Sequence, residues 1–363
     1  MKFTNSDLNT IESFGDEWSR FDQALMTETE AKKAFDEYFS VFPWLSLPPA
    51  AEGFDMGCGS GRWARFVAPR VGRLNCVDPS ISIEIARTNL LEHTNIDFFQ
   101  ASVEDSGLAL CSQDFGYSLG VLHHVPNTAA AIRSCVNLLK PGAPLLLYLY
   151  YSLENRPLWF RYIWHFTDLA RRVISRMPPK FKNITTDIIA VMLYWPLARI
   201  SGVLAKFKFQ VNHIPLSYYR RHTFYTMRTD SRDRFGTPLE QRFNKQQISQ
   251  MMHNSGLVRL NFSEHAPYWC VVGFKASVDN VEENAATPQQ KIKCSVGLID
   301  ATQIEQGALT RLAIFVTKRL RKLSVAVRTG ASDFNKHVNE YSSKNNHCQH
   351  FTSYLLPLQR FWN

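Results

Sequence analysis

None of the seven cysteines (58, 76, 111, 135, 270, 294 and 348) stands in C-x-x-C spacing, and together they form no paired framework. That pattern argues against structural zinc and against a disulfide scaffold, and it favours a reducing compartment. No metal site is expected. Apolar runs are also short. The longest, Ile188 to Ala198, falls below the length needed to cross a bilayer, and Pro196 and Arg199 interrupt its extension, so a buried helix or a greasy substrate groove is expected there. The opening residues, Met1 to Leu8, are polar and carry no secretory or transit pattern, which makes a cytoplasmic protein the expectation.

What is present is most informative at residues 53–61, Gly-Phe-Asp-Met-Gly-Cys-Gly-Ser-Gly, a short apolar strand running into three alternating glycines. Without a Cβ, these residues let the backbone turn sharply and approach a ligand before a helix begins. Residues 62–71 supply that helix. A second strand, 73–78, ends on Asp78, placed to meet ribose hydroxyls at the tip of the neighbouring strand. The G-x-G-x-x-G dinucleotide spacing needs Gly or Ala at position 62, and Arg62 stands there.

Four stretches in order, Asp55 with Gly57, Gly59 and Gly61, then Val77-Asp-Pro-Ser80, Ser118 to Asn127, and Leu139-Lys-Pro-Gly142, resemble the class I S-adenosylmethionine-dependent methyltransferases. The resemblance is to the group that includes the ubiquinone and menaquinone methylating enzymes. It runs over 53–150 and returns at 241–276. It implies a Rossmann-like, doubly wound α/β sheet of seven strands with an antiparallel C-terminal hairpin, and S-adenosyl-L-methionine as cofactor. Hydrophobic periodicity agrees, with strands at 53–58, 73–78, 96–100, 115–121 and 144–150 and helices at 61–71, 81–92 and 127–139. A helix at 243–255 and strands at 257–263 and 268–275 complete the pattern.

The domain reading is an N-terminal helical flap at 1–45, the cofactor-binding core at 46–150, a helical insert at 151–240, the closing helix and hairpin at 241–277, and a linker with a C-terminal extension at 278–363. In the flap, Glu17 and Trp18 are the residues of interest. The insert is basic and aromatic: from 151 to 243, sixteen Lys or Arg face six acids, enough to account for the whole net charge of +9. A lid over the active site, a nucleic-acid footprint, and an ordinary core with a solvated charged face are the competing readings, and a lid fits an insertion at the carboxyl end of the sheet. In the tail, Leu312, Val316, Leu320, Leu323 and Val327 recur at helical spacing among basic residues, a pattern suited to docking on the catalytic domain or to peripheral contact with an anionic membrane.

By the resemblance, Asp55, Gly57, Cys58, Gly59, Gly61, Asp78, Pro79, Ser102, Val103 and Gly120 line the cofactor site. The loop amides and the N-terminus of the following helix receive the methionine carboxylate, and apolar groups near Ile81 and Val103 receive the adenine. Ser102 stands where the family has an acid, and Glu104 is the alternative partner for the adenine amine. Cys58 packs beneath the turn, because methyl transfer from a sulfonium needs no enzyme nucleophile. His123 and His124 follow the fourth strand and are the catalytic candidates, as base or substrate-orienting groups. Tyr150, Tyr151 and Arg228 are substrate candidates, and Arg228 and Asp230 are alternatively paired with each other. The base-gripping Asn/Asp-Pro-Pro-aromatic motif does not appear at Leu119 to His124, so a small-molecule acceptor, such as a lipid-linked, sugar or quinone-like metabolite, is expected rather than a specific nucleic acid. An RNA methyltransferase using the basic insert, or a non-catalytic scaffold, are the alternatives.

Overall fold

The computed structural model describes residues 5–21, 26–211 and 214–277. The linker and the basic apolar pattern of the tail lie outside the described residues. Two helices, α1 (Leu8–Arg20) and α2 (Glu28–Tyr38), precede a sheet of seven strands: β1 (Glu52–Met56), β2 (Arg73–Val77), β3 (Ile96–Phe99), β4 (Phe115–Leu119), β5 (Pro144–Tyr148), β6 (Leu257–Phe262) and β7 (Cys270–Lys275). Between the strands run α3 (Ala64–Val67), α4 (Ser82–Asn89) and α5 (Thr128–Leu138). The insert contributes α6 (Leu158–Ile174), α7 (Pro179–Ile189), α8 (Trp195–Lys206) and α9 (Phe224–Gly236), and α10 (Lys245–Asn254) leads into the hairpin.

The strand order is β3-β2-β1-β4-β5-β7-β6, parallel through β5, with β7 antiparallel to both neighbours. The sheet is therefore the expected Rossmann-like α/β fold with an antiparallel ending. The order reverses between β1 and β4, and the crevice at their carboxyl ends is where such sheets bind ligands. Two glycines let those strands approach with aromatic neighbours: Gly53 sits beside Phe115 and Gly116 beside Phe54 in register, and a Cβ on either glycine would overlap the facing ring. Alternation does the rest. Phe54, Met56, Leu145 and Leu147 pack on one face with Leu122, Ile132, Ile248 and Met252, whereas Phe115, Tyr117 and Leu146 pack on the other with Phe39, Trp63 and Leu74.

Two elements differ from their sequence patterns. The helix expected over 61–71 is reduced to one α turn plus a 3-10 turn at Ala68–Arg70, because Gly61 holds φ +82° at one end and Pro69 lacks an amide donor at the other. Pro196 does not interrupt its helix. A wide π turn at Ala190–Tyr194 joins α7 to α8, and the helix continues from Pro179 to Lys206. Nor is that helix buried: Ile188, Met192, Trp195 and Ile200 are exposed.

Candidate functional site

The glycine turn after β1 is shaped by its own amides. Gly57 and Cys58 donate to the Val77 carbonyl (2.7 and 3.1 Å), Gly61 donates to the Cys58 carbonyl (2.9 Å), and Gly59 donates to Asp78 Oδ2 (2.9 Å). The expectation that these amides receive a carboxylate is therefore not met for these four, since each already has a protein acceptor. Gly57 needs its glycine: φ is +81°, and a Cβ would collide with Val121. Asp78 is held rigidly, with Oδ1 accepting from the Ser80 amide (2.9 Å) and from the Ser80 and Ser82 hydroxyls (2.6 and 3.1 Å). That geometry leaves Oδ2, with one donor, as the oxygen available to a ligand.

A cavity of about 460 Å³ opens from this turn toward the insert, a size suited to a cofactor with a small acceptor. Gly57, Cys58, Gly59, Asp78, Pro79, Gly120, His124, Tyr150 and Tyr151 all line it. An adjoining cavity of about 40 Å³ shares Gly57, Pro79 and His124 with it and is lined by Ser102, Val103 and Glu104. Ser102 is buried there with its hydroxyl unpartnered, whereas Glu104 already accepts from Asn5 Nδ2 at 2.7 Å. Ile81 lines neither cavity; it packs against Gly15 of α1. Asp55 and Gly61 also lie outside both linings. Asp55 is buried within β1, neither carboxylate oxygen has a hydrogen-bond partner, and burial, opposed by nearby Tyr117, pushes its pKa up to about 8.

The flap closes over the turn. The Trp18 indole lies so near Gly59 that a Cβ there would come within 3.1 Å of its Nε1. Glu17 is buried at the cavity wall. Burial and then Asp233 push its carboxyl well above the usual range, and Arg232 at 3.9 Å only partly opposes them.

The two histidines have different fates. His123 is fully buried between the rings of His124 (4.0 Å) and Tyr150 (3.9 Å), both its nitrogens are unpartnered, and it does not line the cavity. Desolvation holds its pKa well below the ordinary value, so it is a neutral packing group. His124 lines both cavities. Its Nδ1 lies 2.6 Å from the Leu239 carbonyl, which only accepts, so Nδ1 carries the proton and the buried, unpartnered Nε2 carries the lone pair. Burial lowers its pKa too, against the pull of Asp233 and the Leu239 carbonyl.

Tyr150 donates its hydroxyl to Asp233, and Tyr151 receives a hydrogen bond from Arg156 Nε at 3.3 Å. Arg228 is corrected: its guanidinium is bidentate on Asp187 (both bonds 3.0 Å), outside the cavity lining, and is neither a cavity residue nor a partner of Asp230. Asp230 accepts from Tyr219 (2.7 Å), and burial raises its pKa to about 6. Other insert cations are also consumed internally. Arg171 holds Asp168, Arg232 holds Asp16, and Arg234 and Arg242 share Glu240. A positive count in the sequence thus overstates the charge offered to an anion.

Sequence reasoning missed Arg62, Asp233 and Arg242, all in the cavity lining. Arg62 stacks on Trp63 at 4.4 Å with its Nε buried and unpartnered. Asp230 and Asp233, three apart on one helix, offered a signal, since that spacing puts both on one face.

A family model described as "Methyltransferase domain" matches residues 54–147. The ubiquinone biosynthesis O-methyltransferase of Xanthomonas axonopodis pv. citri (strain 306) is 35% identical over 169 residues, covering 43% of this chain and 67% of that one. The protein of the same description from Xanthomonas campestris pv. campestris (strain B100) is 35% identical over 145 residues, 39% of this chain and 57% of its own. The chain therefore spans between 57% and 67% of the length of these two relatives. A crystal structure of a SAM dependent methyltransferase from Aquifex aeolicus is similar over 74% of this chain and 97% of its own, at 12% identity and a TM-score of 0.38.

Proposed function

Because the chain belongs to the class I S-adenosylmethionine-dependent methyltransferases, we propose that it methylates a hydroxyl of an apolar, ring-bearing small molecule held between the sheet and the insert. S-adenosylmethionine, its cofactor, supplies an electrophilic methyl group on a sulfonium. The residues present fit that molecule: Asp78 Oδ2 would take the ribose, the unpartnered Ser102 hydroxyl the adenine edge, and the unpartnered Arg62 Nε the methionine carboxylate.

His124 carries the reading. Its Nε2 is buried, unpartnered and, by the tautomer its carbonyl partner imposes, a proton acceptor at the cavity wall. The acceptor's O–H proton passes to Nε2, and the oxygen is left as the nucleophile. Tyr148, Tyr150, Tyr151 and Tyr268 line the acceptor end, surfaces suited to an aromatic ring. The relatives' printed activity, O-methylation in ubiquinone biosynthesis, supports a hydroxyl acceptor of that kind.

Two measurements test this. Calorimetric titration with S-adenosylmethionine should give binding that Asp78→Ala and Gly59→Val both abolish; retained binding would overturn the placement of the cofactor. Labelled methyl transfer to hydroxylated prenyl-phenols should then fall by about 10²–10⁴ in His124→Ala, with cofactor affinity kept. Unchanged turnover in that variant would remove His124 as the base.

A further inference from the structure

The insert is inside out. Along α6, Leu158, Tyr162, Phe166, Leu169 and Val173 recur every three or four residues and all are exposed, while Asp168 and Arg171 are buried. The α7–α8 helix repeats the pattern: Phe181, Ile184, Ile188, Met192, Trp195 and Val203 face outward, and Lys182, Thr186 and Ser201 face inward. A surface helix of a water-soluble domain shows the reverse. Large exposed apolar patches mark partner or membrane surfaces.

Residues 179–206 have the length and hydropathy of a membrane span. Their inward face, however, is tied to the rest of the fold. Asp187 holds Arg228 and Arg20, Asn183 accepts from Arg232 (2.8 Å), and the Thr186 carbonyl accepts from Ser231 (2.8 Å). A helix fastened along one side lies on a surface instead of crossing it. The charge of that surface is legible as well. From 155 to 210 there are ten basic residues, of which Arg171 and Lys182 are buried, and two acids, both engaged internally, Asp168 by Arg171 and Arg172 and Asp187 by Arg228. Lys180, Arg199, Lys206 and Lys208 are exposed and make no ion pair among the described residues. Lys180 stands at one end of the α7–α8 helix and Lys206 and Lys208 at the other, where long basic side chains reach lipid headgroups. Half-exposed Trp159 and Trp195 are side chains enriched at the membrane–water boundary. A second copy of the chain would set this positive face against itself.

We propose that the outward face of α6 and α7–α8 seats the protein on an anionic lipid bilayer, with the apolar stripes in the headgroup–acyl boundary and the flanking lysines on anionic headgroups. This holds whichever acceptor is methylated.

Flotation of the full chain with phosphatidylcholine vesicles, with and without about a third phosphatidylglycerol, tests the proposal. The protein should float with the anionic vesicles, and binding should weaken at least about tenfold without the anionic lipid or in about 0.5 M salt. A Phe166→Ser/Phe181→Ser/Trp195→Ser variant should lose at least about tenfold in partition while keeping its far-UV spectrum and cofactor binding. Wild type that stays in the aqueous phase overturns the proposal. So does variant binding equal to wild type that is lost only on Arg319→Glu/Arg321→Glu, which assigns the membrane to the tail, or a wild-type dimer that the variant dissolves without any vesicle binding, which assigns the face to a second copy. If the variant does not fold, quenching of wild-type tryptophan fluorescence by brominated lipid decides. Quenching that Trp159→Phe/Trp195→Phe diminishes supports the seat, and no quenching overturns it.

Discussion

In the sheet, the largest fully buried side chains are Tyr117, Phe54, Phe115, Met56 and Leu74; in the insert, the largest is Arg232. Its guanidinium reaches Asp16 and Asn183 (each 2.8 Å) and Ser13 (3.3 Å), so it fastens α9 to both the flap and α7. The sheet is held by area removed from water, which is non-directional and tolerant of detail. The insert is held by ion pairs and hydrogen bonds, which demand specific partners and contribute modestly when intact but cost heavily when half-broken. Its small apolar cluster, Ile174, Tyr194, Ala198, Met227 and Phe235, supplements these bonds.

The sharpest way to break that comparison is Arg232→Met. Leaving Asp16 without its cation, and Asn183 and Ser13 without the buried donor, should cost about 3–5 kcal/mol in denaturant unfolding. A cost below about 1 kcal/mol would mean that the insert rests on apolar contacts after all. In the sheet, Leu145→Ala should cost about 2–5 kcal/mol through lost burial and a cavity.

Asp55 is the polar exception within the sheet, and its carboxyl titrates near 8. The folded protein keeps a proton there that the unfolded chain releases above about pH 4, so this group's contribution to stability declines as pH rises from about 4 to about 8. Asp55→Asn should therefore gain on wild type across that window in thermal melts and level off above it. His124 runs the other way. Its pKa is lowered by burial, so protonation below the ordinary histidine value opposes folding, and stability should fall as pH drops through and below about 6.5. The methyl-transfer rate should likewise be level above that pH and decline only on the acid side. The smallest effect belongs to the outward face: Phe166→Ser should change unfolding by no more than about 0.5 kcal/mol in water, against its expected loss of membrane partition.

The sheet was readable because parallel strands and their helices carry strict periodicities, and the reading located five strands, the closing hairpin and the glycine turn to within a few residues. The insert was not. Its composition was visible, but Ile188 to Ala198 read as a buried helix or a greasy groove, and only the surfaces packed on each side of a helix tell inward from outward. The same limit applied to Arg228, whose partner Asp187 lies 41 residues away along the chain.

By itself, the sequence determined the chemistry that local spacing can encode: alternate glycines that bring a backbone close to a ligand, an acid at the tip of the next strand, and a histidine pair after the fourth. Tertiary structure decided which of the adjacent histidines lines the cavity. His123 is sealed between two rings, while the Leu239 carbonyl, 115 residues from His124, sets the tautomer that leaves the lone pair on Nε2. It also decided that Asp168, Arg171 and Arg232 of the insert turn inward and that stripes of its apolar residues turn outward. A one-dimensional pattern records which faces a helix has, and the neighbours packed against each face determine what that face meets.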